Sequence, residues 1–141
     1  MHETGIPNPH VPSCEDATQC GDGSEPPIGG PHCPVWTNCR VWDTAQPRCE
    51  YIHNLEHGHI VLVYNCPSGC DDVVSALTAY WASKPDPKRI LVTPDPLLKS
   101  KVAAMVWGWG WAGDSVDTSK LDEIASHQDQ EAPEAGLGCS P

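Results

Sequence analysis

Eight cysteines constrain this chain more than any other feature: Cys14, Cys20, Cys33, Cys39, Cys49, Cys66, Cys70 and Cys139. Each pair that joins removes a large share of the conformations open to the backbone. An even number, spread through Pro- and Gly-rich stretches of a small acidic chain, reads as a disulfide framework made in an oxidising space such as a periplasm or the cell exterior. A thiolate zinc site would want paired Cys-x2-Cys units, and none occurs. Among about 105 possible pairings, the short loops single out Cys14 with Cys20 and Cys66 with Cys70.

The framework is needed because the first part of the chain has little else. Residues 1–34 are rich in proline and glycine with few aliphatic side chains (Ile6, Val11, Ile28). They are expected to form an irregular, disulfide-stapled arm packed on a single domain of residues 35–141. A net charge of -11 repels a phosphate backbone, so nucleic acid is excluded as a partner. No stretch approaches the ~20 apolar residues of a membrane span, and no charged-then-apolar leader opens the chain. A secreted or periplasmic protein is thus expected to be represented here in its mature form, with Met1 added.

Periodic segments begin after residue 34. Val35-Trp36, Arg40-Val41-Trp42 and Cys49-Glu-Tyr-Ile52 read as short strand pieces. His59 to Tyr64 is a continuous apolar run of strand length, suited to a strand covered on both faces. Asp71 or Asp72 caps a helix to about Ser83, with Val73, Val74, Leu77, Tyr80 and Trp81 along one side, stopped by Pro85 and Pro87. Arg89 to Thr93 is a strand closed by Pro94, and Lys101 to Trp111 reads as one longer strand with Met105, Trp107, Trp109 and Trp111 on one face. That face serves as core or as a ligand-facing wall. Asp117 or Thr118 caps a last helix carrying Leu121, Ile124 and Ala125, and Cys139 pins the tail back. The order gives an α/β or α+β fold: a small mixed sheet flanked by two helices, two strands parallel through a right-handed crossover and the Trp-rich strand antiparallel.

Chemistry concentrates in His53-Asn-Leu-Glu-His-Gly-His59, which holds three of the seven histidines and a glutamate. Extended, the stretch aligns His53, His57 and His59 on one face; as a helical turn it brings His53 and His57 together at i, i+4, with Glu56 beside them. Either way two imidazoles converge, and imidazole suits zinc, copper and non-haem iron. His32, in Gly29-Gly-Pro-His-Cys33, is the best third ligand. The expected site is mononuclear, with His32, His53 and His57 as ligands completed by His59 or Glu56. Glu56 is also the candidate catalytic group, handling protons if the metal activates dioxygen or water. Copper comes first, for the oxidising compartment and the thioether of Met105 within possible reach, and zinc second. An activity, if present, would be that of a copper-dependent oxidoreductase; no small-molecule or peptide substrate is identified. His2, His10 and His127 are expected to be surface residues.

Several of these segments, Gly30-Pro-His32, His53-Asn-Leu-Glu-His-Gly58, Val61-Leu-Val-Tyr64, Leu91-Val-Thr-Pro94, Ala104 to Gly108 and Gln130-Glu-Ala-Pro-Glu134, resemble the ordered motifs of a bacterial family catalogued as domain of unknown function 3105. The resemblance runs from about Glu25 to Glu134. It implies an exported or membrane-anchored protein and carries His32, His53, Glu56 and His57 as family positions; His59 and the density of cysteines stand outside it.

Two other readings compete. Cys66-Pro-Ser-Gly-Cys70 follows a strand and opens a helix, a layout similar to thioredoxin-like thiol/disulfide proteins and their copper-delivering relatives. Asp71 and Asp72 oppose a reactive thiol there. The third reading is a metal-free binding or structural module using its tryptophans.

Overall fold

The computed structural model describes residues 1–141 and places a four-stranded mixed sheet between helices. In chain order the elements are α1 (Arg48–Glu56), β1 (Ile60–Tyr64), α2 (Asp71–Ala82), β2 (Ile90–Pro94), β3 (Val102–Val106), β4 (Trp109–Gly113) and α3 (Thr118–Ala125), with one 3-10 turn at Ala17–Gln19. The strands lie in the order β2-β1-β3-β4. β1 runs parallel to β2, with Leu62 opposite Val92, and antiparallel to β3, with Leu62 opposite Ala104. This is the α+β arrangement expected: one crossover through α2, then antiparallel additions.

Period-two alternation divides the core. Ile60, Leu62 and Tyr64 of β1 face α2 and α3, where they meet Val73, Leu77, Tyr80, Leu121 and Ile124. Val61 and Val63 face the other way, onto Tyr51, Ile52 and Leu55 of α1 together with Ile28 from the arm. Every residue of β1 is buried, which is why its sequence shows no polar alternation.

Several expectations are corrected. Cys49–Ile52 is not a strand but the start of α1, a third helix. Its residues Cys49 and Tyr51 to Glu56 are all buried, so no apolar stripe set against a polar face announced it. Lys101–Trp111 is not one strand but a hairpin: the chain reverses at Trp107-Gly108, pairing Val106 with Trp109. Met105 and Trp107 therefore pack on the α1 side while Trp109 and Trp111 pack on the α2 side, so the expected single tryptophan face does not exist. Finally, the N-cap of α2 is Cys70, with Asp71 and Asp72 in the first turn where their charge complements the helix dipole. Asp117 caps α3 as expected, accepting from the Ser119 and Lys120 amides. Val35-Trp36 forms no strand, and Arg40–Trp42 contributes a single parallel bridge, Val41 to Val92, along the outer edge of β2.

All eight cysteines are paired: Cys14–Cys33, Cys20–Cys49, Cys39–Cys139 and Cys66–Cys70. The short-loop expectation was right for Cys66–Cys70 and wrong for Cys14–Cys20. The arm instead folds back so that Cys14 meets Cys33 beside His32, and Cys20 ties it to the first turn of α1. Cys39–Cys139 closes a 100-residue span and pins the tail. No helix is long and apolar enough to cross a membrane.

Candidate metal centre

The last turn of α1 builds the site. His53, Glu56 and His57 stand at i, i+3 and i+4, so the helical alternative for this stretch is the one adopted, and it puts all three side chains on one side. The helix ends in a Schellman motif: the Gly58 amide donates to the Leu55 carbonyl at 3.0 Å and the His59 amide to the Asn54 carbonyl at 3.0 Å. Gly58 sits at φ +85°, and a Cβ there would overlap Asp129 Oδ1. Glycine is therefore required at the turn that releases the chain from α1 into β1.

The C-terminal tail completes this end of the helix. The Glu56 carbonyl accepts from the Glu134 amide at 3.0 Å, and the His57 carbonyl accepts from the Leu137 amide and from Arg89 at 3.3 and 3.0 Å. Arg89 is itself gripped by Asp129 in a two-pronged ion pair. The tail thereby delivers Glu134 Oε2 to within 3.4 Å of His57 Nε2.

His32 arrives from the opposite direction. In Gly29-Gly-Pro-His32 the backbone passes so close to Gly21 that a Cβ on Gly30, at φ +105°, would overlap it. The turn aims the imidazole at α1, where His32 Nε2 lies 3.2 Å from Glu56 Oε2 and Glu56 Oε1 lies 3.8 Å from His53 Nε2. His32, His53, Glu56 and His57 are all at most 6% exposed. Trp36 lies over His53 and His57, with ring centroids 5.3 and 5.2 Å away.

Tautomers follow from the partners. His32 Nδ1 lies 2.9 Å from the Gly30 carbonyl and His53 Nδ1 lies 2.9 Å from the Cys33 carbonyl; a carbonyl only accepts, so both Nδ1 atoms carry the proton. In the neutral rings the two Nε2 lone pairs then face the carboxylate of Glu56. Fixing Nδ1 on a backbone oxygen is what orients an imidazole for a metal at Nε2. Burial lowers the pKa of His53 and of His57, keeping both rings in the neutral form that ligates. His32 Nε2 is fully buried and has no hydrogen-bond partner. Glu56 Oε2, the atom facing it, accepts from Asn8 Nδ2 at 2.8 Å.

Donor atoms within 4.8 Å of one another form two overlapping groups: His10, His32, His53 and Glu56, and His53, Glu56, His57 and Glu134. His53 and Glu56 belong to both. Of the expected ligands, His32, His53, His57 and Glu56 are thus brought together. His59 is not. Its Nε2 donates to the Leu137 and Gly138 carbonyls at 3.0 and 3.2 Å, and its Nδ1 accepts from Asn54 at 3.1 Å, so neither nitrogen is free to ligate. Met105 is a core side chain in the cluster beneath α1. A third close group, Cys39, His59 and Cys139, offers no thiolate because its cysteines are joined to each other.

Two participants were not assigned from sequence. Glu134 stands in the Gln130–Glu134 motif, but nothing local ties it to His57. His10, set aside as a surface residue, is exposed yet has its ring centroid 4.9 Å from that of His32.

Fold and site together define a disulfide-braced α+β protein with a buried cluster of imidazoles and carboxylates. Over residues 14–141 the chain matches the family described as protein of unknown function DUF3105, and it belongs to that family. No curated protein and no solved structure matches it.

Proposed function

We propose that this is an exported metal-binding protein whose mononuclear site is centred on His53 and Glu56 and takes copper, with zinc as the next choice. The observation that carries the reading is the pair His32 Nε2 and Glu56 Oε2, 3.2 Å apart and both buried, with no hydrogen bond between them. Two acceptors held face to face repel unless a positive charge lies between them, and an orphaned acceptor of this kind costs about 1–3 kcal/mol. A cation bound by Nε2 of His32, Nε2 of His53 and the Glu56 carboxylate removes that penalty, and His57 lies at the edge of the same cluster.

A nitrogen- and oxygen-only donor set binds divalent copper more tightly than zinc by the usual affinity order. The oxidising compartment implied by four disulfides suits the same ion. The Met105 thioether does not enter this argument, since that side chain packs in the core. Glu56 would hold a ligand position and exchange protons with whatever occupies the remaining one.

The test is metal analysis of protein purified without a metal-affinity column, then titration with copper(II) and zinc(II) under a competing chelator, on wild type and on His53→Ala. One equivalent per chain, with affinity at least tenfold weaker in His53→Ala, is the expected result. Protein that can be loaded with neither ion sinks the reading.

A further inference from the structure

Residues 1–13 precede both the first disulfide and the stretch matched by the family, yet they supply two side chains to the cluster. His10 stands within 4.8 Å, donor atom to donor atom, of His32, His53 and Glu56. Asn8 donates to Glu56 Oε2 at 2.8 Å. Building on the metal site proposed above, we propose that this N-terminal arm is a strap closed by the metal, with His10 as the additional ligand that fastens it.

The geometry favours His10 over His57 as the third imidazole beside His32 and His53. His32 shares a group with His10 and not with His57. The backbone registers the strap on the buried ligand: the Val11 amide donates to the His32 carbonyl at 2.8 Å and the His32 amide to the Pro9 carbonyl at 3.2 Å, a parallel bridge that sets His10 beside His32. The orphaned Nε2 of His32 is aimed into this same group.

Elsewhere the strap is held without a covalent staple. No disulfide holds residues 1–13: Met1 and Glu3 make backbone contacts to β4 and the turn before it, His2 stacks on Trp109 and pairs with Glu131, Ile6 packs at the edge of the core, and a groove of about 580 Å³ is lined by Glu3–Pro7 with Gly21, Asp22, Gly30 and Pro31. His10 itself is exposed, whereas His32 and His53 are buried. An exposed ligand on a segment without a disulfide, facing buried ligands on stapled segments, is the arrangement in which ligand exchange opens one side of a site. Metal then enters and leaves by way of the strap, and its binding orders residues 8–11.

The experiment compares wild type, His10→Ala and His57→Ala by copper(II) titration under a competing chelator, and measures amide hydrogen exchange of residues 4–11 with and without one equivalent of copper(II). His10 is exposed, so its variant should melt with wild type when metal-free, which is checked first. The expected result is binding at least tenfold weaker, with faster copper release, in His10→Ala, a smaller loss in His57→Ala, and metal-induced protection of residues 8–11 that disappears in His10→Ala. Wild type that binds copper with His10→Ala unchanged in affinity, or with exchange of the strap indifferent to metal, overturns the inference while leaving the metal site standing. Wild type that binds no copper removes both.

Discussion

His32 Nε2 lies 3.2 Å from Glu56 Oε2, with the proton of the His32 ring committed to the Gly30 carbonyl on the far side. The same contact that favours a cation penalises its absence, so a neutral amide at position 56 should have opposite effects on the two states. In Glu56→Gln an amide nitrogen in the place of Oε2 can donate one hydrogen to His32 Nε2 and the other to the Asn8 amide, turned over to present its oxygen. The metal-free variant is expected to gain about 1 kcal/mol, a rise of a few degrees in Tm, and to bind copper(II) at least tenfold more weakly. Thermal melts with chelator, alongside metal titration, check both signs. A variant less stable without metal, binding metal as wild type does, would refute the account of this pair.

Gly58 links the site to the sheet, and Gly58→Ala is expected to disturb both. The left-handed conformation alone costs about 1–2 kcal/mol, and the added methyl displaces Asp129 from its grip on Arg89. Arg89 and the tail amides cap the end of α1, so the damage should reach His57. Urea unfolding should show a loss above ~2 kcal/mol. An alanine variant within half a kcal/mol of wild type would mean that the turn is free to rearrange.

Much of this architecture was legible because strands and helices with one dominant environment write simple patterns. The five-residue run Ile60–Tyr64 is apolar throughout because both sheet faces are covered, and α2 and α3 show helical spacing because one side meets the sheet. Cys49–Ile52, the start of α1, reads as a strand because nearly the whole surface of that helix is buried, under the sheet, the arm and the tail together, leaving no periodicity to find. His53 and His57 nonetheless stand out, since their spacing converges in either conformation, and Glu56 joins them in the helical one. Spacing alone does not separate His59 from them, although the family resemblance leaves it out: what removes it is Asn54 on one nitrogen and the Leu137 and Gly138 carbonyls on the other, the latter 78 and 79 residues away. His10 and Glu134 were missed for the same reason, being placed by folding of the two chain ends onto α1.

The histidines make the metal-free fold sensitive to acid. Burial lowers the pKa of His59 from its ordinary 6.5 to about 4, and lowers those of His53 and His57. Below pH 6.5 the unfolded chain takes up protons that the folded one refuses, so stability is complete above that value and falls as pH drops toward 4. His59 alone accounts for about 3 kcal/mol across this window. Urea midpoints measured in chelator from pH 7.5 to 4 should fall steadily, and in His59→Gln, less stable at pH 7.5, they should fall less. An equal slope in the two proteins would show that His59 is not held neutral.

The disulfides divide by what they hold. Cys66–Cys70 spans four residues between β1 and α2, so closing it restrains the unfolded chain by only ~2 kcal/mol in the chain-entropy model, against about 4.7 for the 100 residues spanned by Cys39–Cys139. The long bridge also keeps the tail where its backbone accepts from His59 and Arg89 and where Glu134 meets His57. Cys39→Ala with Cys139→Ala is therefore expected to lower stability by about 2–5 kcal/mol and to weaken copper(II) binding, whereas Cys66→Ala with Cys70→Ala should cost less and leave binding unchanged. The comparison also separates the metal reading from a thiol/disulfide role. If Cys66 and Cys70 carried the function as a redox pair, their bridge would be reduced under mild conditions that spare the other three and would re-form on reaction with a disulfide substrate, which leaves as the dithiol. Denaturant unfolding, metal titration and mass-spectrometric thiol labelling on the two double variants decide between the outcomes. Loss of copper binding on removing the short bridge, with the long one dispensable, would reverse the assignment.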